Sequence, residues 1–176
     1  MNVDAIRGLT QPDQRTCGPS SLVAAHMLVD ATYRPASFST DVLALHRSLT
    51  SPSFGGRAQM PWPPALGTPP WAATRAMQSF TGVSYRSVIV RFGSRSSAYS
   101  SVVSAVTGGR PCPLYVGDTW LPRHVVLAVG PSADGVQVYN PGHGTIDTLT
   151  RSSYLSGDLT IFGSWDHPWF AVVPSG

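Results

Sequence analysis

Apolar residues follow a helical period in the first half of the chain. The apolar run over 17–30 lacks a continuous polar face and predicts a helix that is central rather than peripheral. A second helix, capped by Ser39 or Thr40, is predicted to run to residue 49. A third is predicted over 71–80, because two prolines precede it. The first half of the chain is therefore expected to be helical.

The second half of the chain changes to short apolar segments separated by turn residues. Ala133-Asp134-Gly135 predicts a tight turn that joins two of these segments as a hairpin. A short helix over 96–106 and a helical turn near 150–156 interrupt the series. The predicted strands cover 84–91, 113–117, 124–130, 136–139, 145–149 and 169–173. Helices first and an antiparallel sheet second predict an α+β protein, in a single domain over 1–176.

The segment 51–70 is rich in proline and glycine and fits none of the predicted elements. A long segment without regular structure in a small domain is usually functional or disordered. Phe54, Trp62 and the adjoining Trp71 favour a packed surface loop. We therefore expect an insert at 51–70 that can reshape or cover a cleft.

Charge is sparse, and the net charge is +3. All 12 cationic residues are arginines, and they are scattered, so no basic patch of a nucleic-acid binder is present. The sequence has neither a signal-peptide core nor an apolar run of membrane-spanning length. We expect no nucleic-acid or membrane partner, and a protein that is cytoplasmic or exported without a cleaved signal. The absence of lysine fits either a high-GC genome or an effector delivered into a foreign cell.

Two cysteines are too few for a disulfide framework and lack the spacing of a zinc site. No metal or cofactor is expected. Cys17 stands at the start of the first predicted helix, where unpaired backbone N–H groups and the helix dipole are expected to stabilise its thiolate. A bridge from Cys17 to Cys112 would block that thiol. Cys17 is therefore the candidate nucleophile.

A base and its orienting residue are predicted at one end of the hairpin. His124 opens one strand and Asn140 ends the strand paired with it, so their side chains can meet. An asparagine or aspartate beside a histidine fixes the tautomer that a general base needs. Asp118 is the alternative orienting residue, although it is more typical of a turn. His143, in the glycine-rich turn that follows, could line the cleft but is more typical of a turn residue.

An amide donor for an oxyanion is predicted upstream of the thiol. Gln11 lies six residues before Cys17 and can reach over the sulfur, and Gln14 is the rival. Together these residues predict that Cys17 attacks a carbonyl and that His124 takes and returns the proton. Asn140 would orient the imidazole, and Gln11 with the Cys17 N–H would hold the oxyanion.

Four motifs in order resemble the papain-like cysteine peptidases, above all the bacteriocin-processing (double-glycine leader) peptidase domain and its stand-alone bacterial relatives. The matches are Gln11 with Cys17-Gly18, Gly109-Arg110-Pro111 before Leu114-Tyr115-Val116, His124-Val125-Val126 to Gly130, and Asn140-Pro141-Gly142. The resemblance implies a papain-like fold and a Cys–His–Asn/Asp site. That subgroup usually has aspartate where this chain has Asn140, and its motifs have no counterpart to the 51–70 insert.

The expected function is therefore that of a cysteine hydrolase that cleaves a peptide or isopeptide bond of a peptide or protein substrate. A thioester intermediate also leaves open deamidation or acyl transfer, as in an effector of the same fold. A catalytically inactive domain that binds peptides in the cleft is the alternative from another class.

Overall fold

The computed structural model describes residues 1–176, apart from the side chain of Leu66. Five α-helices form close to the predicted positions: α1 (Cys17–Val29), α2 (Phe38–Thr50), α3 (Pro70–Thr81), α4 (Arg95–Thr107) and α5 (Arg151–Ser156). Short 3-10 helices cover Val3–Ile6, Pro64–Leu66 and Thr160–Phe162. The predicted cap of α2 is wrong: Ser37, with extended backbone, accepts from the Thr40 N–H, so the helix begins before Ser39.

Six strands form one antiparallel sheet in the order β3-β8-β4-β5-β6-β7. A separate two-stranded hairpin, β1 and β2, lies within the 51–70 insert. The strands are β1 (Ser53–Phe54), β2 (Arg57–Ala58), β3 (Tyr85–Ile89), β4 (Cys112–Gly117), β5 (Pro122–Ser132), β6 (Gly135–Asn140), β7 (Thr145–Thr150) and β8 (His167–Pro174). The sheet confirms the α+β class.

Helices cover both faces of the sheet, and each face has its own hydrophobic cluster. Side chains alternate between the faces: Leu114 and Val116 of β4 join the cluster that includes α4, whereas Tyr115 between them joins the cluster that includes α1 and α3. The central strands are therefore buried on both sides, which explains why β4 reads as a nearly continuous apolar run.

Helix α1 lies directly on the sheet because its side chains are small. Ser20, Ser21, Ala24 and Ala25 are all buried, and the Ser21 hydroxyl donates to the Val125 carbonyl of β5 at 3.1 Å. Small side chains allow the close approach, and the hydrogen bond satisfies a buried hydroxyl. The prediction that α1 is central is confirmed, and its first residue is fixed relative to β5.

The insert packs against the helices. The side-chain amide nitrogen of Gln59 donates to carbonyls at the end of α2, with Leu49 O at 2.9 Å and Ser51 O at 2.8 Å. Trp62 meets Trp71 edge to face. Thr68 is buried against Gly18, in the first turn of α1, where even a methyl group would collide with it. The insert is a packed loop that supports the helix carrying Cys17.

Candidate functional site

Cys17 is the first residue of α1, and its side chain is nearly enclosed, with 7% of its surface exposed. Burial raises the pKa of the thiol, although backbone N–H groups of Val125, Gly18 and Cys17 itself act to lower it. The N–H groups at the helix start therefore act in the expected direction, but burial outweighs them and the net shift of the thiol pKa is upward. Loss of solvation outweighs the backbone N–H groups, because a thiolate in an apolar enclosure loses its hydration.

His124 and Asn140 meet as the hairpin predicts. Nε2 of His124 lies 2.8 Å from Oδ1 of Asn140, which also accepts from the Gly142 N–H at 3.0 Å. A backbone N–H can only donate, so the amide atom facing it is the oxygen. Nε2 of His124 must then be the protonated ring nitrogen, since an amide oxygen only accepts. Nδ1 is left with a free lone pair.

The thiol and the imidazole lie at the same end of β5. The backbone N–H of Val125, the residue after His124, faces the Cys17 sulfur. The ring of His124 lies over Gly142, where a Cβ would come within 3.6 Å of its Cε1 atom. The tighter contact of such a Cβ would be with Oδ1 of Asn140, at 3.2 Å, so a side chain at residue 142 would crowd the amide that binds the imidazole.

Burial lowers the pKa of His124 below its ordinary value of 6.5. The hydrogen bond to Asn140 acts in the opposite direction, and the nearby His143 reinforces the lowering. The shifts of the two groups point the same way, since a raised thiol pKa and a lowered imidazole pKa both favour uncharged forms. Burial of the two groups therefore disfavours a thiolate and an imidazolium in the resting site.

Gln11 is held beside the turn that follows Asn140, because its backbone N–H donates to the Pro141 carbonyl at 2.8 Å. Its side-chain Nε2 donates to the Asp13 carbonyl at 2.8 Å, which occupies one of the two amide hydrogens. Gln14 is exposed. Of the two glutamines, Gln11 is the one fixed against the turn that directly follows Asn140.

Asp118 does not reach the imidazole. Its carboxylate accepts from the Arg123 side chain at 2.9 Å and from the N–H groups of Trp120 and Leu121. The Arg123 hydrogen bond, followed by those two N–H groups, lowers the pKa of Asp118 to about 2. Asp118 is a turn residue, as its sequence context indicates.

Two residues near the site were not assigned a role from the sequence. His143, interpreted there as a turn residue, places Nδ1 3.2 Å from Nδ2 of Asn140. Tyr115 pairs with Val125 across the sheet, and among the described residues its buried hydroxyl has no hydrogen-bond partner. Burial, with a further contribution from the charge of a Cys17 thiolate, raises the pKa of Tyr115 well above 10. Two sequence signals could have placed these residues near the site. For Tyr115 the signal was the alternation of side chains along its strand, and for His143 it was the position three residues after Asn140.

Cys112 takes no part in this arrangement. Both cysteines are free, and they belong to hydrophobic clusters on opposite faces of the sheet. Cys112 is completely buried, and burial raises the pKa of its thiol. The bridge that would have blocked Cys17 is not formed.

Within the part of the chain that the structure describes, no three His, Cys, Asp or Glu side chains cluster closely enough to hold a metal ion. None of the described helices combines the length and the apolar character needed to cross a membrane.

No protein-family model and no curated protein matches the sequence. The structure is nevertheless similar along nearly its whole length to the peptidase domain of Streptococcus ComA, with a TM-score of 0.56 and 14% identity over 97% of this chain and 99% of that domain. A C39-like peptidase from Bacillus anthracis is similar at a TM-score of 0.57 and 12% identity, over 97% of this chain and 94% of the other. The Pseudomonas avirulence protein AvrPphB gives 0.52 and 13%, over 98% of both chains.

The chain has a papain-like fold. This confirms the fold that the four sequence motifs led us to expect. At 12–14% sequence identity, the similarity to these proteins concerns the fold alone. In this papain-like fold, the start of α1 and the open end of the β5–β6 hairpin bring Cys17, His124 and Asn140 to the same end of the inner strands of the sheet.

Proposed function

We propose that the protein is a cysteine hydrolase that cleaves a peptide or isopeptide bond, with Cys17 as nucleophile, His124 as general base and acid, and Asn140 as the residue that orients the imidazole. The observation that carries the proposal is the 2.8 Å contact between His124 Nε2 and Asn140 Oδ1. It leaves Nδ1 unprotonated on a ring next to Val125, whose N–H faces the Cys17 sulfur.

The first half of the reaction forms a thioester. Nδ1 of His124 takes the thiol proton while the sulfur attacks the substrate carbonyl carbon. The pair starts uncharged, so proton transfer accompanies attack instead of preceding it as a stable ion pair. The resulting imidazolium is stabilised through Nε2–H by the Asn140 oxygen. It then returns the proton to the leaving amine as the C–N bond breaks.

The negative charge that develops on the substrate oxygen needs donors that are already in place. The Cys17 backbone N–H lies in the first turn of α1, where it has no partner within the helix. Gln11 supplies the second donor through the amide hydrogen that its Asp13 contact leaves free. Anchoring of the Gln11 backbone to Pro141 supports this role, because it holds the residue beside the turn that directly follows Asn140, the partner of His124.

The second half of the reaction releases the acid. His124, neutral again after protonating the amine, removes a proton from water as the water attacks the thioester carbonyl. The tetrahedral intermediate collapses, the C–S bond breaks, and the proton returns from His124 to the sulfur. The products are an amine and a carboxylic acid, and the site is restored.

A peptide substrate is supported by a structural neighbour. A double-glycine-motif protease from an AMS/PCAT transporter, similar at a TM-score of 0.55 and 11% identity, was solved in complex with its leader peptide. It matches 96% of this chain and 94% of its own. We propose that this chain likewise binds an extended peptide across the end of the sheet where Cys17 and His124 lie.

The test combines active-site labelling with peptide cleavage. A peptidyl electrophile should label Cys17 near neutral pH and leave Cys112 unlabelled, because Cys112 is completely buried. Cys112→Ser is the matched control and should keep both labelling and cleavage of a diverse peptide library. Cys17→Ala and His124→Ala should lose cleavage. Equal cleavage by wild type and Cys17→Ala, or labelling of Cys17 at the same rate with and without His124, would refute the proposal.

A further inference from the structure

Both ends of the Asn140 amide are engaged by neighbours. Oδ1 accepts from His124 and from the Gly142 N–H, and Nδ2 lies 3.2 Å from Nδ1 of His143. The residue is completely buried. A buried amide group left without a partner is costly, so each neighbour influences which way the amide faces.

The direction of the amide decides the protonation of the base. If the amide were rotated by 180°, its NH₂ group would face the Gly142 N–H and His124 Nε2. The NH₂ group and the Gly142 N–H are both donors, so they could not form a hydrogen bond. His124 could then meet the NH₂ group only by accepting at Nε2, with its proton moved to Nδ1. In that tautomer Nδ1 has no lone pair with which to take the thiol proton.

We propose that His143 is a positioning residue for the proposed reaction. In its Nε2–H tautomer His143 accepts at Nδ1 a hydrogen bond from Asn140 Nδ2, and so holds the amide in the orientation that keeps His124 protonated on Nε2. An acceptor at this position stabilises the observed orientation and opposes the rotated one, which would place the amide oxygen against the Nδ1 lone pair. The catalytic consequence rests on the proposed function, whereas the tautomer of His124 does not.

The need for such a residue follows from the asparagine. A carboxylate presents an acceptor in both orientations, so it cannot face the wrong way. With an amide only one orientation leaves His124 active, and a second acceptor on Nδ2 discriminates between the two. Replacing Asn140 by aspartate should therefore remove most of the requirement for His143.

The kinetic test is a double-mutant cycle measured near pH 8, where the imidazole is neutral. His143→Leu removes the acceptor and should lower kcat/KM about tenfold, the order expected for loss of one buried hydrogen bond. His143→Asn, which supplies a side-chain oxygen, should restore activity to within about threefold of wild type. In an Asn140→Asp background the cost of His143→Leu should shrink to less than about twofold. The same cost in both backgrounds would overturn the proposal.

A spectroscopic readout separates this proposal from the proposed function. Long-range ¹H–¹⁵N correlation spectra should report His124 as the Nε2–H tautomer in wild type and as a mixture of tautomers in His143→Leu. His143→Ala provides a second variant without an acceptor, and the unfolding free energy of each checks that it folds. An unchanged His124 spectrum in both variants would refute the positioning role. If Cys17→Ala kept full activity while the tautomer shifted as expected, the proposed function would fail and the positioning role would stand.

Discussion

The phenol oxygen of Tyr139 lies 2.6 Å from the carbonyl oxygen of Leu9 and donates a hydrogen bond to it. Two backbone hydrogen bonds flank this contact: Gly8 donates to Gly144 O, and Gln11 donates to Pro141 O, both at 2.8 Å. Three hydrogen bonds therefore tie the N-terminal segment 8–11 to the end of β6 and to the turn after Asn140. That attachment fixes the position of Gln11.

Tyr139→Phe should lower the free energy of unfolding by about 1 kcal/mol, the usual net value of a hydrogen bond within a protein. Tyr154→Phe is the matched control: Tyr154 is equally buried, but among the described residues its hydroxyl has no partner. Urea denaturation should therefore show Tyr154→Phe at least as stable as wild type. Equal losses in the two variants would mean that the Leu9 contact contributes nothing.

Asn140→Asp should shift the acid limb of the pH–activity profile. Burial holds the pKa of His124 below 6.5, so activity should persist below that pH and fall as the imidazole becomes protonated. A carboxylate beside the ring favours the charged form, and should move the midpoint of kcat/KM upward by about one pH unit. Asn140→Ala removes the hydrogen bond that raises the pKa, so its midpoint should move down while its plateau falls. An unchanged midpoint in both variants would rule out His124 as the titrating base.

Gly18→Ala should destabilise the protein because Thr68 occupies the space of the new methyl group. A Cβ at residue 18 would lie 2.6 Å from the Thr68 Cβ atom. Overpacking of this kind costs about 1–3 kcal/mol, measured as a lower midpoint of denaturant unfolding. Thr68→Gly should recover part of that loss in the double variant. Gly108→Ala, where a Cβ meets ordinary contacts at 3.4 Å, should change stability little.

Gln59→Ala should loosen the insert from α2. The side chain is 8% exposed and donates to carbonyls at the end of that helix, which would be left without this donor. We expect a loss of about 1–2 kcal/mol in unfolding free energy and faster proteolysis within 51–70. Gln78→Ala is the control, since Gln78 is exposed on α3. Proteolysis at the same rate in both variants would contradict a structural role for Gln59.

The sequence predicted the regular elements well because periodicity depends on local patterns. The apolar run of α1 and the hairpin of β5 and β6 were both predicted from the sequence. The predicted hairpin also placed His124 beside Asn140. The cap of α2 was misplaced because three of the four residues from 37 to 40 are Ser or Thr, and each satisfies the same local preference for a cap. The assignment of catalytic roles and of one domain over 1–176 stays a prediction.

Tertiary packing determines the features of the site that the sequence did not predict. The helix start predicted a stabilised thiolate at Cys17, yet enclosure of the side chain raises its pKa. His143 was interpreted as a turn residue, because its spacing of three residues from Asn140 does not show which way the ring points, and only the structure shows that the ring meets the Asn140 amide. Each case depends on residues distant in sequence or on the rotamer of a side chain.

The enclosure of Cys17 also bears on how the protein withstands oxidants. Peroxide attacks thiolates, and a neutral, 7% exposed thiol offers little of that species. Cys112 cannot act as a resolving partner, since it lies in the cluster on the other face of the sheet. We therefore expect peroxide to oxidise Cys17 more slowly than an exposed, low-pKa cysteine, and we expect no disulfide between Cys17 and Cys112.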